Sequence, residues 1–378
     1  MTQYPKECWP TDDQKLLLHA ALQHGEASVA AWEQWMKAID FSDIDFGSQR
    51  LIPLLYAKLS ENGIHHQMMA SYKGLYRNFW VKNKLLLTAA NPVIQELYDN
   101  NIETLMLKGT GIILGCNIKL ALRPMGDIDF MVHKEKVSHA INIMHNMGWY
   151  PKQFYPSDLD LIHAYSFNNG KGQSIDLHWY SLDTDLTDLH TAGYWDRSIM
   201  TQLNEVPVQI MGVTDQLIHT CVHGIRWNRV PPIRWIADAI MLYEKPDAEI
   251  QWDLLIELSE KLKVSILLSQ GLNYLQSEFN IPIPDYALQS LERIPVSYME
   301  KLEFKLSQKK RQPLLGLFTY NKKFFDYLKF HRKKFPFPGY LRYLQTMWGV
   351  KHLWQVPFVG LSRMLKEIQM QFSRKNQG

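Results

Sequence analysis

Residues 123–132 read R-P-M-G-D-I-D-F-M-V, a segment with Pro and Gly that runs into alternating acidic and apolar residues. The Pro and Gly predict a loop, and the alternation predicts a strand. Because successive side chains of a strand point to opposite faces, Ile128 and Phe130 share one face while Asp127 and Asp129 share the other. The two acidic Cα atoms would be roughly 6–7 Å apart, close enough for both carboxylates to bind one divalent cation or a pair of them.

A third carboxylate follows in a predicted hairpin over residues 163–179. On its second strand Asp176 and His178 project to the same side, which makes Asp176 the best partner for the first two acids. Mg²⁺ prefers such oxygen ligands together with water and substrate phosphates, and two ions ~3.5–4 Å apart clamp both oxygens of an in-line displacement. Exposed strand faces often carry two acids, so the alternating pair alone is a weak signal of a metal site. With the third acid, the pattern is compatible with magnesium-dependent phosphoryl-type chemistry.

A glycine-bearing segment, K-G-T-G at residues 108–111, lies between a short predicted strand at 102–107 and apolar residues typical of a short helix. The exposed N–H groups of a helix amino terminus attract phosphate. This order predicts that a glycine turn feeds a helix and forms a phosphate-binding element.

The flanks have helical periodicity, from about residue 11 to 101 and again from about residue 183, with 252–272 as one clear segment. Pro92 predicts a break or a fresh helix start within the first flank. Four units are expected: an N-terminal helical region at 1–98, a catalytic core at 99–182, a helical domain at 183–285, and a basic, aromatic-rich helical region at 286–378.

Cysteine content and hydropathy restrict the class of protein. Cys8, Cys116 and Cys221 are far apart and lack CxxC spacing, so neither a disulfide framework nor a thiolate zinc site is indicated. No stretch resembles a signal peptide or a membrane span. A cytoplasmic protein is expected.

The net charge of +3 hides an uneven distribution. Residues 301–378 contain 17 Lys or Arg and three acidic residues, a net charge of +14, which leaves −11 for residues 1–300. A solvated helical face would explain this basic region. The alternatives are contact with an acidic membrane surface, with nucleic acid or with an anionic substrate.

The order strand, glycine turn, loop, D-x-D strand, helix and hairpin resembles the polymerase-β-like nucleotidyltransferase superfamily. Within it, L-K-G-x-G, L-R-P-M-G-D-I-D-F and I-D-L-H-W are similar to the bacterial group of uncharacterised nucleotidyltransferases. The likeness covers roughly residues 15–275 and implies an α+β fold, in which a small mixed sheet with flanking helices is embedded between helical regions. The superfamily's usual glycine-serine pair is replaced here by Lys108-Gly109.

The resemblance implies that Asp127 and Asp129 bind two Mg²⁺ ions, for which Mn²⁺ can substitute. Asp176 would complete the site and act as, or position, the base for an acceptor hydroxyl. Six further residues are implied in nucleotide binding: Lys108, Gly109, Thr110, Gly111, Arg123 and His178. A surface ion pair for Arg123 and a structural hydrogen bond for His178 stay open as alternatives.

The implied activity is transfer of a nucleoside monophosphate from a nucleoside triphosphate (NTP) to a hydroxyl or phosphate on a small molecule, sugar or peptide. Protein nucleotidylation by an antitoxin-like regulator and an RNA-directed transferase are the alternatives, and a non-catalytic scaffold is the non-enzymatic one. His219 and His223 have the spacing of a zinc pair, but Thr220 replaces the glutamate of H-E-x-x-H. These histidines, with Arg234 and Asp238, either pack against the core or line the acceptor pocket.

Overall fold

The structure is a computed structural model that describes residues 8–156, 158–182, 193–226, 228, 230–246, 249–308, 321, 324–325, 328, 337–363 and 365. Its helices are α1 Asp12–Leu22, α2 Gly25–Ala38, α3 Phe46–Gln49, α4 Ile52–Glu61, α5 Met68–Asp99, α6 Lys108–Gly115, α7 Val137–Asn146, α8 Val213–Gly224, α9 Arg234–Tyr243, α10 Trp252–Lys261, α11 Ser265–Phe279, α12 Asp285–Arg293, α13 Tyr298–Ser307 and α14 Phe337–Trp348. Its strands are β1 Leu105–Met106, β2 Ile128–Met131, β3 Tyr150–Pro151, β4 Ala164–Asn168, β5 Ser174–His178, β6 Ile199–Leu203 and β7 Val206–Ile210.

The strands form one mixed sheet in the order β3-β4-β5-β2-β1-β7-β6. β2 is central, parallel to β5 on one side and antiparallel to β1 on the other. Ile128 and Phe130 of β2 are fully buried, as the alternation requires. The predicted α+β class with a small mixed sheet and flanking helices is confirmed.

The sheet extends beyond the catalytic core predicted at residues 99–182, because β7 pairs in parallel with β1. The helical interpretation of the chain after residue 183 is wrong for β6 and β7, which form a hairpin. Asn204 and Glu205 turn it with φ values of 46° and 73°, the left-handed conformation of tight two-residue turns. The sequence signal was the alternation around this Asn, which was too short to stand out between helical segments.

Two helical predictions also need correction. α5 runs through Pro92 without a break, although proline lacks the N–H that would continue the helical hydrogen bonds. The single helix predicted over residues 252–272 is two helices, α10 and α11, separated at Lys263, whose φ is 56°. A residue in the left-handed region ends a helix, and Lys gives little sequence warning of it.

The helices before and after the sheet share one hydrophobic core. Leu17, Trp35 and Leu55 from the first flank pack in the same cluster as Ile218 and Trp235 from the second. A second cluster lies between the sheet, the C-terminal half of α5, and α7. Helices that precede the sheet in the sequence and helices that follow it therefore pack together around it.

The C-terminal region is helical where it is described. α14 is followed by a terminal helix at residues 355–363, and Val356 from this helix joins Tyr343 and Leu344 in a cluster with Leu161. Residues 309–320 and 366–378 of the predicted basic region lie outside the described residues. Within the described part of the chain, no helix combines the length and the hydropathy needed to cross a bilayer.

Candidate active site

Two of the three carboxylates predicted on strands, Asp129 and Asp176, lie side by side at the centre of the sheet. In the parallel β2–β5 pair, Asp129 is the direct neighbour of Asp176, and adjacent strands are ~4.8 Å apart. Asp129 is buried and Asp176 is half-buried. The expectation that Asp176 stands on the same face as Asp129 therefore agrees with the geometry.

Asp127 lies in a bend immediately before β2 and not on the strand itself. The charge of Asp129, burial, and then the charge of Asp176 raise the pKa of Asp127 to about 7. These causes place the three carboxylates within electrostatic range of one another. At an effective dielectric constant of ~20, two unit charges ~5 Å apart repel by about 3 kcal/mol, so the cluster favours a bound cation or proton.

Asp129 is fixed by two hydrogen bonds to the same oxygen. Lys108 Nζ donates to Asp129 Oδ1 at 2.6 Å, and His178 Nε2 lies 3.2 Å from it. Burial disfavours the carboxylate, yet Lys108 and His178 outweigh burial and hold the pKa of Asp129 well below its usual value. Burial likewise opposes the charge on Lys108, but the contact with Asp129 raises the pKa of Lys108. Both groups are charged at neutral pH.

His178 is buried next to Asp129, and only 1% of its surface is exposed. Burial lowers the pKa of His178, so the ring is neutral and donates from Nε2. Its Nδ1 is buried and has no hydrogen-bond partner among the described residues. The ring is thus placed to orient Asp129, and the predicted contact between His178 and a nucleotide stays a prediction.

Three side chains among the described residues lie close enough to one another to bind a metal ion. Asp129, Asp176 and His178 each offer a ligand atom, and these atoms lie within 4.8 Å of one another. Asp176 Oδ1 is buried and finds no hydrogen-bond partner in the described part of the chain, a deficit that a cation would remove. Asp127 stands outside this closest group, although it interacts with both acids.

The K-G-T-G segment forms the first turn of α6 and does not precede the helix as predicted. Lys108 begins it with φ 43°, a left-handed conformation that is uncommon for a residue with a side chain. The N–H of Gly111 donates the first hydrogen bond of the helix, to the Leu107 carbonyl. The three N–H groups before it have no acceptor within the helix. Those groups belong to residues 108–110, beside Asp129.

The two glycines of this turn are required by packing within the protein. A Cβ at Gly109 would lie 2.7 Å from Met125 Cγ, and one at Gly111 would lie 2.7 Å from the Met106 carbonyl oxygen. Thr110 is buried, with its hydroxyl 3.6 Å from Met125 Sδ. Their roles in approaching a triphosphate stay predictions.

Arg123 forms a forked ion pair with Asp238 of α9, at 2.8 Å and 3.3 Å. Arg234 also donates to Asp238, and Arg50 donates to the Pro124 carbonyl beside this pair. Burial lowers the pKa of Arg234 to about 10, and burial followed by the charge of Arg123 does the same for Arg50. This arginine cluster ties the loop before β2 to the flanking helices. The predicted contact of Arg123 with phosphate is untested.

His219 and His223 lie on α8 and both approach the Ser181 carbonyl oxygen, at 3.2 Å and 3.4 Å. Burial lowers the pKa of His219 to about 3 and that of His223 well below its usual value, so both rings are neutral. Among the residues that the structure describes, no third metal-ligating side chain joins them. A structural role accounts for these contacts without zinc.

Sequence reasoning missed the Lys108–Asp129 pair. Its signal was strand register, because Met106 pairs with Phe130 and the Leu107 N–H bonds the Asp129 carbonyl, so Lys108 follows directly beside the acid. The pair between Arg123 and Asp238 gave no such signal, since the two residues are 115 positions apart in the sequence.

Comparison with known proteins identifies the family of the chain. The family described as uncharacterised nucleotidyltransferase matches residues 47–280, which is more than half of the chain. No curated protein matches the chain. Among solved structures, the antibiotic-resistance factor ANT(2'')-Ia is 14% identical with a TM-score of 0.32, covering 52% of this chain and 97% of its own. A nucleotidyltransferase-like antigenic protein from Paracoccidioides brasiliensis is 16% identical with a TM-score of 0.35, covering 54% and 95%. The chain belongs to the family of uncharacterised nucleotidyltransferases and is a nucleotidyltransferase.

Proposed function

We propose that the protein transfers a nucleoside monophosphate from an NTP to a hydroxyl or phosphate acceptor, with divalent cations and with release of pyrophosphate. One observation carries the proposal: Asp129 and Asp176 are neighbours on parallel strands, and a buried oxygen of Asp176 lacks a hydrogen-bond partner among the described residues. A buried carboxylate oxygen without a donor is costly unless a cation or a substrate proton satisfies it.

The residues present fit Mg²⁺ or Mn²⁺. Hard divalent ions prefer carboxylate oxygens, and Asp127, Asp129 and Asp176 would supply three carboxylates within electrostatic range of one another. When bound, such ions neutralise the triphosphate and stabilise the charge that develops during transfer.

The chain's own groups would position both substrates. The side chain of Lys108 is 28% exposed while that of its partner Asp129 is 3% exposed, so Lys108 would meet a phosphate while it keeps its bond to the carboxylate. The N–H groups of residues 108–110 at the start of α6 add a positive field beside it. Lys108 and α6 would thus hold the triphosphate against the acids.

Asp176 is the group proposed to receive the acceptor's proton. The acceptor oxygen forms a bond to the α-phosphorus, and the bond from that phosphorus to the bridging oxygen breaks, so that pyrophosphate leaves. The proton of the acceptor hydroxyl would pass to Asp176 Oδ2, which leaves Oδ1, the buried oxygen without a hydrogen-bond donor among the described residues, to the cation. His178 would act as a positioning residue, because it holds the orientation of Asp129 through Nε2.

The proposal is tested by incubating the protein with Mg²⁺, cell extract and each NTP in turn, labelled on either the α- or the γ-phosphate. We expect label from the α-phosphate alone to appear in an acceptor, with a matching release of pyrophosphate. The labelled fraction, small molecule, protein or RNA, would identify the acceptor class. Transfer of the γ-label, or no transfer from any NTP, would contradict the proposal.

A further inference from the structure

The terminal helix at residues 355–363, with the residues that flank it, presents a row of large apolar side chains on the surface. Trp354, Phe358, Leu361 and Leu365 follow one another at helical spacing of four, three and four residues. Their exposed fractions are 66%, 67%, 52% and 49%. These four residues are called the apolar stripe below.

The stripe is not the side on which the helix is anchored. Val356 is 2% exposed and packs into the cluster with Leu161, and a Cβ on Gly360 would lie 3.3 Å from the Trp348 ring of α14. Val356 and Gly360 are on the opposite side of the helix from Phe358. A surface helix ordinarily turns polar residues outward, whereas this one is apolar on both faces.

The charge of the same region indicates what covers the stripe. Residues 301–378 have a net charge of +14, so they attract an anionic surface and repel a second copy of themselves. An apolar helical face with tryptophan and phenylalanine, set in a strongly basic region, is typical of helices that lie in the plane of an anionic bilayer. Nucleic acid would satisfy the charge but would leave the leucines in water.

We propose that the apolar stripe and the basic C-terminal region bind the surface of a bilayer that contains anionic lipid. The stripe enters the boundary between headgroups and acyl chains, while exposed basic side chains close to it in the sequence, Lys351 and Arg363, contact the headgroups. A helix that lies on the bilayer surface does not have to span the membrane. Val356 packs this helix into the same cluster as Leu161 of the catalytic region. The proposal is independent of the proposed transfer reaction.

The test is co-sedimentation of the full-length protein with phosphatidylcholine vesicles, with and without phosphatidylserine. We expect binding only with phosphatidylserine, weakened by added salt. The double variant Phe358→Ser/Leu361→Ser should bind those vesicles about tenfold or more weakly. The matched control Trp80→Ser/Leu85→Ser removes two exposed apolar residues from α5 and should bind as the unmodified protein does.

Several outcomes would overturn the proposal. These are no binding to anionic vesicles, equal binding by the stripe variant, or self-association that the stripe variant abolishes in the absence of lipid. Binding of RNA that excludes vesicles and survives the stripe substitutions would also overturn it. Far-UV circular dichroism and the melting temperature would establish that the stripe variant is folded, since its two substituted side chains are exposed.

Discussion

Replacing Asp127 by asparagine is expected to lower the rate of nucleotidyl transfer by about 10³-fold, because one of three carboxylates that bind the divalent ions is lost. The same substitution should stabilise the metal-free protein, since it removes a charge that Asp129 and Asp176 repel. Activity and stability thus change in opposite directions. Transfer assays and thermal unfolding in a chelating buffer measure the two effects.

Glu33→Gln is the matched control, because Glu33 is an exposed acid on α2 and has no place in the proposed site. It should change neither the rate nor the melting temperature appreciably. Full activity in Asp127→Asn would contradict the assignment of Asp127. A loss of activity together with a loss of stability would point to a structural role for Asp127 instead.

The second expected result is that the stabilising effect of Asp127→Asn depends on pH. The pKa of Asp127 is about 7 in the folded protein, above its ordinary value of 3.8, so the folded state binds this proton more tightly than the unfolded state. The stabilising contribution of Asp127 to the free energy of unfolding is therefore fully present below about pH 4 and is lost as pH rises through 7. The difference in unfolding free energy between variant and unmodified protein should grow from pH 5 to pH 8, to about 2 kcal/mol after allowance for solvent screening.

Comparison with the variant is essential because other groups titrate in the same range. His219 and His223 have pKa values lowered by burial, so their contribution to stability rises with pH up to about 6.5 and opposes that of Asp127. The histidines are unchanged in the variant and cancel in the difference. Mg²⁺ should raise the melting temperature of the unmodified protein more at pH 8 than at pH 5. A pH-independent difference would contradict the raised pKa of Asp127.

The sequence allowed the sheet face of the site to be predicted because strand periodicity is strict. Alternation around Asp129 and around Asp176 determined which face each carboxylate occupies, and the β2–β5 register then made them neighbours. The strand face of each carboxylate could be predicted from its immediate sequence neighbours alone. The face of each carboxylate could therefore be predicted before the structure was known, whereas the pairing of Asp129 with Asp176 came from the structure.

Other features of the site depend on contacts that local patterns do not encode. Asp238 pairs with Arg123 across 115 residues, and nothing in either neighbourhood predicts the partner. The bond of the buried His178 to Asp129 joins residues 49 positions apart in the sequence, so the spacing of His178 from Asp176 alone left its role open. The division into four units at residues 98, 182 and 285 stays a prediction, although β7 extends the sheet past the second of these boundaries.

The most direct test of the central claim is Mn²⁺ binding, measured by electron paramagnetic resonance in the presence of a non-hydrolysable NTP analogue. The unmodified protein should bind Mn²⁺, and Asp176→Asn should bind it at least about tenfold more weakly while keeping its far-UV circular dichroism spectrum. Glu33→Gln should bind it as the unmodified protein does. Equal Mn²⁺ affinity in Asp176→Asn and the unmodified protein would contradict a cation held by the paired carboxylates of β2 and β5.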